Sequence, residues 1–214
     1  MVKISPSIIN YDFLTLIDLI EKFENSGVDM IHLDVMDGAF VPNISFGASL
    51  VESFKKHTNI PLDVHLMIDK PHRYIEDFAK YADWLGFHYE AGSDSAELLK
   101  KIRELGCKSC ITIKPKTAPE EIFDLLDLCD MVLVMSVEPG FGGQKFMYDS
   151  LDKIKALKAE KERRGLNFEI EVDGGINKET APLAAEAGAT VLVAGSYIVL
   201  AENMEERIRE IKAL

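Results

Sequence analysis

The sequence predicts one closed α/β barrel, with eight parallel strands ringed by eight helices. Three observations carry that expectation. Short apolar runs alternate with amphipathic stretches about eight times along the chain. The runs are rich in Val, Ile, Leu and Met and poor in charge, as strands covered on both faces must be. The chain has 214 residues, 47% of them hydrophobic and 28% charged, which is long for an ordinary domain but normal for one such barrel. The expectation is a single (β/α)8 domain over residues 1–214. An open doubly wound sheet is the structural alternative.

Each element has its own warrant in the chain. Lys3–Ile8 reads as the first strand. Asp12 then caps a helix over Phe13–Ser26, whose apolar residues at 13, 16, 17, 20 and 23 form one stripe. Gly27 ends that helix as a C-terminal glycine should. Met30–Val35 is the second strand and Leu50–His57 the second helix. Leu62–Met67 leads to a helix over 72–82, and Trp84–His88 to one over 94–105 that Gly106 closes. Ser109–Lys114 precedes a helix over 119–128, and Met131–Ser136 precedes one over 148–164 that Gly165 closes. Phe168–Val172, a helix over 178–187 with Gly188 behind it, Thr190–Ala194 and a helix over 203–213 complete the series. No linker, low-complexity tract or charged tail interrupts it.

Composition narrows the partners. The formal net charge of −12 repels nucleic acid and anionic membrane alike. It leaves room for a small anionic substrate, which needs only a local pocket of N–H donors. The apolar stretch 187–201 is broken by Gly and Ser, and Met1–Pro6 lacks a signal-peptide core. The expected location is therefore cytoplasmic. Cys107 and Cys110 spell C-x-x-C, but they fall on or beside a strand, where positions three apart face opposite ways. No second Cys pair completes a zinc site. The three cysteines, with Cys129, are read as reduced structural thiols.

A barrel places function at the C-terminal ends of its strands. Ser7 follows the first strand there, His32 and Asp34 lie near the end of the second, His65 on the third and Asp173 after the seventh. His32 and Asp34 are two apart, so they share one face, while Leu33 and Val35 take the other. A carboxylate pointing into a barrel is costly unless it is paired or binds a cation. Taken singly, His32, Asp34, His65 and Asp173 are each more often a satisfied core group. Together they make a mixed N/O set suited to one divalent metal ion: zinc, iron, manganese or cobalt. Asp37-Gly38 is ordinary turn chemistry. His57 and His72 are expected in solvent, and His88 ends the fourth strand without an assigned role.

Glycines mark a second function at the same rim. Glu138–Gln144 follows the sixth strand with Gly140, Gly142 and Gly143. Gly174-Gly175 follows the seventh and Gly195-Ser196 the eighth. Such loops leave backbone N–H groups open to a phosphate, and barrels often hold phosphate after their last two strands. Neither a G-x-x-x-x-G-K-[ST] loop nor a G-x-G-x-x-G turn after the first strand is present.

At these positions the chain resembles the ribulose-phosphate 3-epimerase family. The resemblance runs through Ser5–Ile8, His32–Gly38, Phe40–Asn43, Asp63–Met67, Pro139–Gln144, Val172–Ile176 and Ala194–Ser196, in the family's order. It implies a TIM barrel of the ribulose-phosphate-binding type with a bound divalent metal. It implies His32, Asp34, His65 and Asp173 as metal ligands, and Asp34 and Asp173 as the catalytic acid/base pair. It implies Ser7 and His65 as sugar contacts, and Gly142, Gly143, Gly175, Gly195 and Ser196 as phosphate contacts, with Gln144 and Gly174 beside them. Met36, Met67 and Met135 resemble the methionines that line this family's site, although core packing explains them as well. The substrate implied is a small phosphorylated ketose, D-ribulose 5-phosphate exchanged with D-xylulose 5-phosphate, and the assembly implied is a homo-oligomer.

Alternatives stay open at this point. D-Allulose 6-phosphate would undergo the same chemistry, and a non-catalytic sugar-phosphate-binding barrel would need the pocket alone. A Schiff-base aldolase would need a strand-end lysine, and only Lys114 qualifies. The chain also departs from the family pattern at Asn10-Tyr11, Ala39 and Tyr197, none of them an implied metal ligand.

Overall fold

The computed structural model describes residues 2–214. Its core is a ring of eight parallel strands: β1 (Lys3–Ser5), β2 (Ile31–Met36), β3 (Leu62–Met67), β4 (Trp84–His88), β5 (Lys108–Ile113), β6 (Met131–Met135), β7 (Glu169–Asp173) and β8 (Val191–Val193). From β2 onward each strand pairs with the next, and β8 pairs with β1. The first strand meets the second where Ser7 bridges to His32 and the His32 N–H donates to the Pro6 carbonyl at 3.0 Å. The open doubly wound sheet is thereby excluded.

The strands have two kinds of face, and alternation assigns every side chain to one. Leu33, Val35, Val64, Leu66, Phe87, Ile111, Val132, Val134, Ile170 and Val172 belong to the large buried layer shared with the helices. A separate cluster of Met30, Cys110, Met131, Leu133, Met135, Val137 and Val191 fills much of the barrel's interior. Register decides what else lies inside. Asp34 pairs with His65, His32 with Asp63, and Met135 with Asp173. Parallel partners point the same way, so the polar side chains of β2, β3 and β7 are gathered within the ring.

The outer layer consists of α1 (Leu16–Ser26), α2 (Ala48–His57), α3 (Ile75–Ala79), α4 (Ser95–Glu104), α5 (Ser150–Arg164), α6 (Thr180–Ala187), α7 (Ser196–Val199) and α8 (Met204–Lys212). Asp12 accepts from the Leu14 N–H at the start of the 3₁₀ turn Phe13–Thr15, which runs into α1. Gly27 and Gly165 end α1 and α5 with φ of 67° and 63°, the left-handed conformation that glycine adopts without strain.

Three expectations about helices are corrected. Residues 119–128 form a 3₁₀ segment, Pro119–Leu128, instead of an α-helix. Its carbonyls are drawn outward: Arg164 donates to Phe123 O at 2.6 Å, Arg103 to Asp127 O at 3.4 Å, and the Cys129 thiol to Leu125 O at 3.3 Å. The stretch 72–82 divides into a 3₁₀ turn, Pro71–Arg73, and the short α3, because Tyr74 between them has an unhelical φ of −126°. The four-residue α7 after β8 was not expected at all.

Cys107, Cys110 and Cys129 are free and buried. Cys107 donates to the Ala79 and Ala82 carbonyls, and burial pushes the Cys129 thiol up to about 12. Among the described residues, no helix is long and apolar enough to cross a membrane.

Candidate active site at the strand C-termini

The C-terminal ends of the strands open into a cleft. Ser7, Asp34, Met36, Met67, Met135 and Asp173 line it on one side, and the glycine loops after β6, β7 and β8 line it on the other. His32 and His65 do not reach the cleft; they are 0% and 1% exposed and lie beneath its floor. The sugar contact expected of His65 thus finds that side chain behind Asp34, while Ser7 is at the surface of the cleft.

One donor atom from each of His32, Asp34, His65 and Asp173 can be chosen so that all lie within 4.8 Å of one another. Asp34 is the hub. Its Oδ2 accepts from Ser7 Oγ at 2.6 Å. Its Oδ1 lies 3.2 Å from both His32 Nε2 and His65 Nδ1. The two ring nitrogens are 3.4 Å apart. Two donors each roughly 2.0–2.1 Å from a shared tetrahedral cation would be about 3.3 Å apart, so these separations fit one small divalent ion.

The outward nitrogen of His32 is already committed. His32 Nδ1 lies 2.5 Å from Asp63 Oδ2. A carboxylate only accepts, so that nitrogen carries a proton, and a cation at the centre of the cluster would find the lone pair of Nε2. Asp63 is fully buried and also accepts from Ser5 Oγ at 3.2 Å. Glu171 lies beside this pair, 3.9 Å from His32 Nδ1, with neither carboxylate oxygen hydrogen-bonded. Burial and the charge of Asp63 push the Glu171 carboxyl well above its ordinary range, which holds it neutral. Asp63 and Glu171 were missed from sequence. The available signal was spacing, since each lies two residues before a site residue on the same strand.

The two cleft aspartates occupy contrasting fields. Burial opposes ionisation of Asp34, but the charge and hydrogen bond of His32, with the hydrogen bond of His65, outweigh it and hold the carboxyl far below its usual value. Asp173 has no such partner, and burial together with the Asp34 charge raises it to about 7. Burial alone would lower His32, yet Asp63 and Asp34 hold it well above its ordinary value. The cluster therefore demands positive charge at its centre, which a bound cation satisfies.

The glycine-rich end of the cleft is built on backbone. Gly175 has φ of 64°, and a Cβ there would lie 2.4 Å from Phe146 N. Gly142 lacks room for a Cβ because the Asn10 amide fills it, 2.2 Å away. Asn10 also donates to Ser196 Oγ at 2.9 Å, joining the first strand's loop to the start of α7. Gln144 lines the cleft but spends its amide on the Glu138 and Phe141 carbonyls, bracing its own loop. Gly143, Gly174 and Gly195 also line the cleft. Lys114 is placed elsewhere, with its ammonium 3.7 Å from the centre of the Phe40 ring. Asp37 serves its turn, accepting from the Ala39, Phe40 and Asp69 N–H groups.

A family model described as the ribulose-phosphate 3 epimerase family matches residues 3–199. The ribulose-phosphate 3-epimerase of Bacillus subtilis (strain 168) is 47% identical over 214 residues, covering 99% of this chain and 99% of the relative. The ribulose-phosphate 3-epimerase of a Synechocystis species is 43% identical, covering 99% of this chain and 93% of the relative. Among solved structures, a 3-hexulose-6-phosphate synthase superposes with a TM-score of 0.74 at 19% identity, covering 99% of each chain. At that identity the likeness concerns the barrel alone.

Proposed function

Because the chain belongs to the ribulose-phosphate 3-epimerase family, we propose that it interconverts D-ribulose 5-phosphate and D-xylulose 5-phosphate by removing a proton from C3 and returning one to the opposite face. That it is an epimerase follows from its relatives. The sugar, the metal and the aspartate pair are the proposal. The observation that supports it most is the placement of Asp34 and Asp173: both line the cleft, one held ionised and the other brought near neutrality.

Inverting a carbon beside a ketone needs an acid/base group on each face, because a single base would return the proton where it found it. Asp34, ionised, takes the C3 proton; Asp173, protonated, delivers one from the other side. The reverse reaction exchanges the roles. Carboxyls whose surroundings push their proton affinities apart can divide the work in this way. Ser7 donates to Asp34 Oδ2 and orients it. His32, Asp34, His65 and Asp173 would hold the divalent ion, zinc, iron, manganese or cobalt. That ion supplies Lewis-acid stabilisation of negative charge as the cis-enediolate forms. The backbone of Gly142, Gly143, Gly174, Gly175 and Gly195, with the Ser196 hydroxyl, binds the phosphate and so fixes the reacting carbon between the carboxyls. The whole chain, residues 1–214, works as one barrel domain. Exposed Leu14, Ile17 and Ile44 support a homo-oligomer, which sedimentation velocity would read.

The deciding experiment is an assay in heavy water with D-ribulose 5-phosphate and D-allulose 6-phosphate in parallel. The expected outcome is deuterium at C3 of the product and a higher kcat/KM on the five-carbon sugar. Product without deuterium would sink proton abstraction, and preference for the six-carbon sugar would reassign the substrate. Binding without turnover in the metal-loaded protein would indicate a sensor.

A further inference from the structure

His88 ends β4 and Glu90 stands two residues beyond it, two polar residues that the proposed chemistry does not use. His88 is 1% exposed. Its Nε2 lies 2.9 Å from His65 Nε2, and its Nδ1 lies 3.3 Å from Glu90 Oε2. Glu90 is itself fixed. Its Oε1 accepts from the Lys114 N–H at 2.8 Å and from the Thr117 hydroxyl. The Phe40 ring covers His88 at 4.8 Å between centroids.

Donor and acceptor roles along this chain follow from its far end. The Glu90 carboxylate can only accept, so His88 Nδ1 carries a proton. A neutral His88 then has a lone pair on Nε2, and the group facing that lone pair must donate. That group is His65 Nε2. Its other nitrogen, Nδ1, lies 3.2 Å from Asp34 Oδ1 and 3.4 Å from His32 Nε2; the Asp34 carboxylate competes for the His65 proton there until a cation takes its place, after which the proton stays on Nε2 and Nδ1 offers its lone pair. These assignments rest on the acceptor pattern, as histidine tautomers ordinarily do.

We propose that His88 is a positioning residue for the metal centre: with Glu90 it fixes His65 as the Nε2–H tautomer, so that Nδ1 is the ring nitrogen presented to a divalent cation. His65 is thereby oriented through an intermediate histidine, whereas His32 is oriented by Asp63 directly. The inference rests on the reading of the four-residue cluster as a metal site.

The test has two readouts. Nitrogen-15 NMR of the imidazoles in the zinc-loaded protein reports which nitrogen of His65 and His88 is protonated. The expected result is His65 protonated on Nε2 and His88 on Nδ1. A His65 proton on Nδ1 would overturn the proposal. Competition against a chromophoric chelator gives the Co²⁺ affinity of wild type, His88→Phe and His88→Gln. Loss of the acceptor in His88→Phe should weaken Co²⁺ binding by about 10–100-fold. His88→Gln, whose amide oxygen can accept in place of Nε2, should stay within about threefold of wild type. Wild-type affinity in a folded His88→Phe protein would overturn the proposal, as would an equal loss in both variants. If His88→Phe does not fold, the wild-type NMR and His88→Gln still decide. If the wild type binds neither Co²⁺ nor Zn²⁺, the metal reading fails and the proposal with it, whereas metal binding without the His88 effects overturns the proposal alone.

Discussion

Asp34 and Asp173 are chemically the same side chain, and the difference between them lies wholly in their neighbours. Asp34 is surrounded by Ser7, His32 and His65, all placed to favour its charged form. Asp173 meets burial and the charge of Asp34. Asp34→Asn and Asp173→Asn should each lower kcat by about 10²–10⁴-fold, the ordinary worth of a positioned acid or base, with an unchanged circular dichroism spectrum. Near-normal turnover in either folded variant would defeat the two-carboxylate mechanism. Glycines give a second test at this scale. Gly27 and Gly175 have nearly the same φ, 67° and 64°, but a Cβ at Gly27 would meet nothing within 4 Å. Gly27→Ala should cost about 1–2 kcal/mol, the left-handed penalty alone. Gly175→Ala adds a collision with Phe146 and should cost about 3 kcal/mol and raise KM, as urea midpoints and steady-state kinetics would show.

At the scale of elements, the parallel strands follow from local pattern, and their connections carry the exceptions. The 3₁₀ segment Pro119–Leu128 is shaped by arginines from α4 and α5, which sequence periodicity does not register. The loop before it is held from α5 as well. Lys153 donates to the carbonyls of Lys114, Pro115 and Thr117 at 3.0, 2.5 and 2.6 Å. This loop also supplies the two donors that fix Glu90. Lys153→Met removes the charge and keeps the stem, leaving three carbonyls without that donor. It should lower stability by about 1–3 kcal/mol in chemical denaturation. Lys155→Met, which breaks only the exposed pair with Asp152, should change stability by less than about 0.5 kcal/mol. Equal effects from the two substitutions would show that the Lys153 contacts contribute little.

For the molecule as a whole, the barrel would make the proposed metal a matter of stability as well as rate. The four proposed ligands come from three strands and meet only when β2, β3 and β7 are in the ring together. A cation that binds the folded chain at 100 times its dissociation constant should add about 2.7 kcal/mol. For a chain of this size that is roughly 5–10 °C in Tm. Chelator treatment should abolish epimerisation and lower Tm, and zinc, iron, manganese or cobalt should restore both. Indifference of both quantities to chelation and reloading would count against a metal centre.

Much of this architecture could be read from the chain. Alternation along each strand separates Leu33 and Val35 from His32 and Asp34, because side chains on a strand must point to opposite faces. Glycine loops and costly carboxylates at strand ends then mark one rim of the barrel. Other features depended on contacts between residues far apart in sequence. Asp63 and His32 are 31 positions apart, and His88 and His65 are 23 apart. Such contacts exist only once register and ring closure bring neighbouring strands together. The same closure takes His65 out of the cleft, places the Asn10 amide against Gly142, and leaves Glu171 buried without a partner. Local sequence determined which residue types stand at the strand ends and which way they face. Tertiary structure alone decided which of them touch, and hence which carboxyl stays charged and which nitrogen of each histidine remains free.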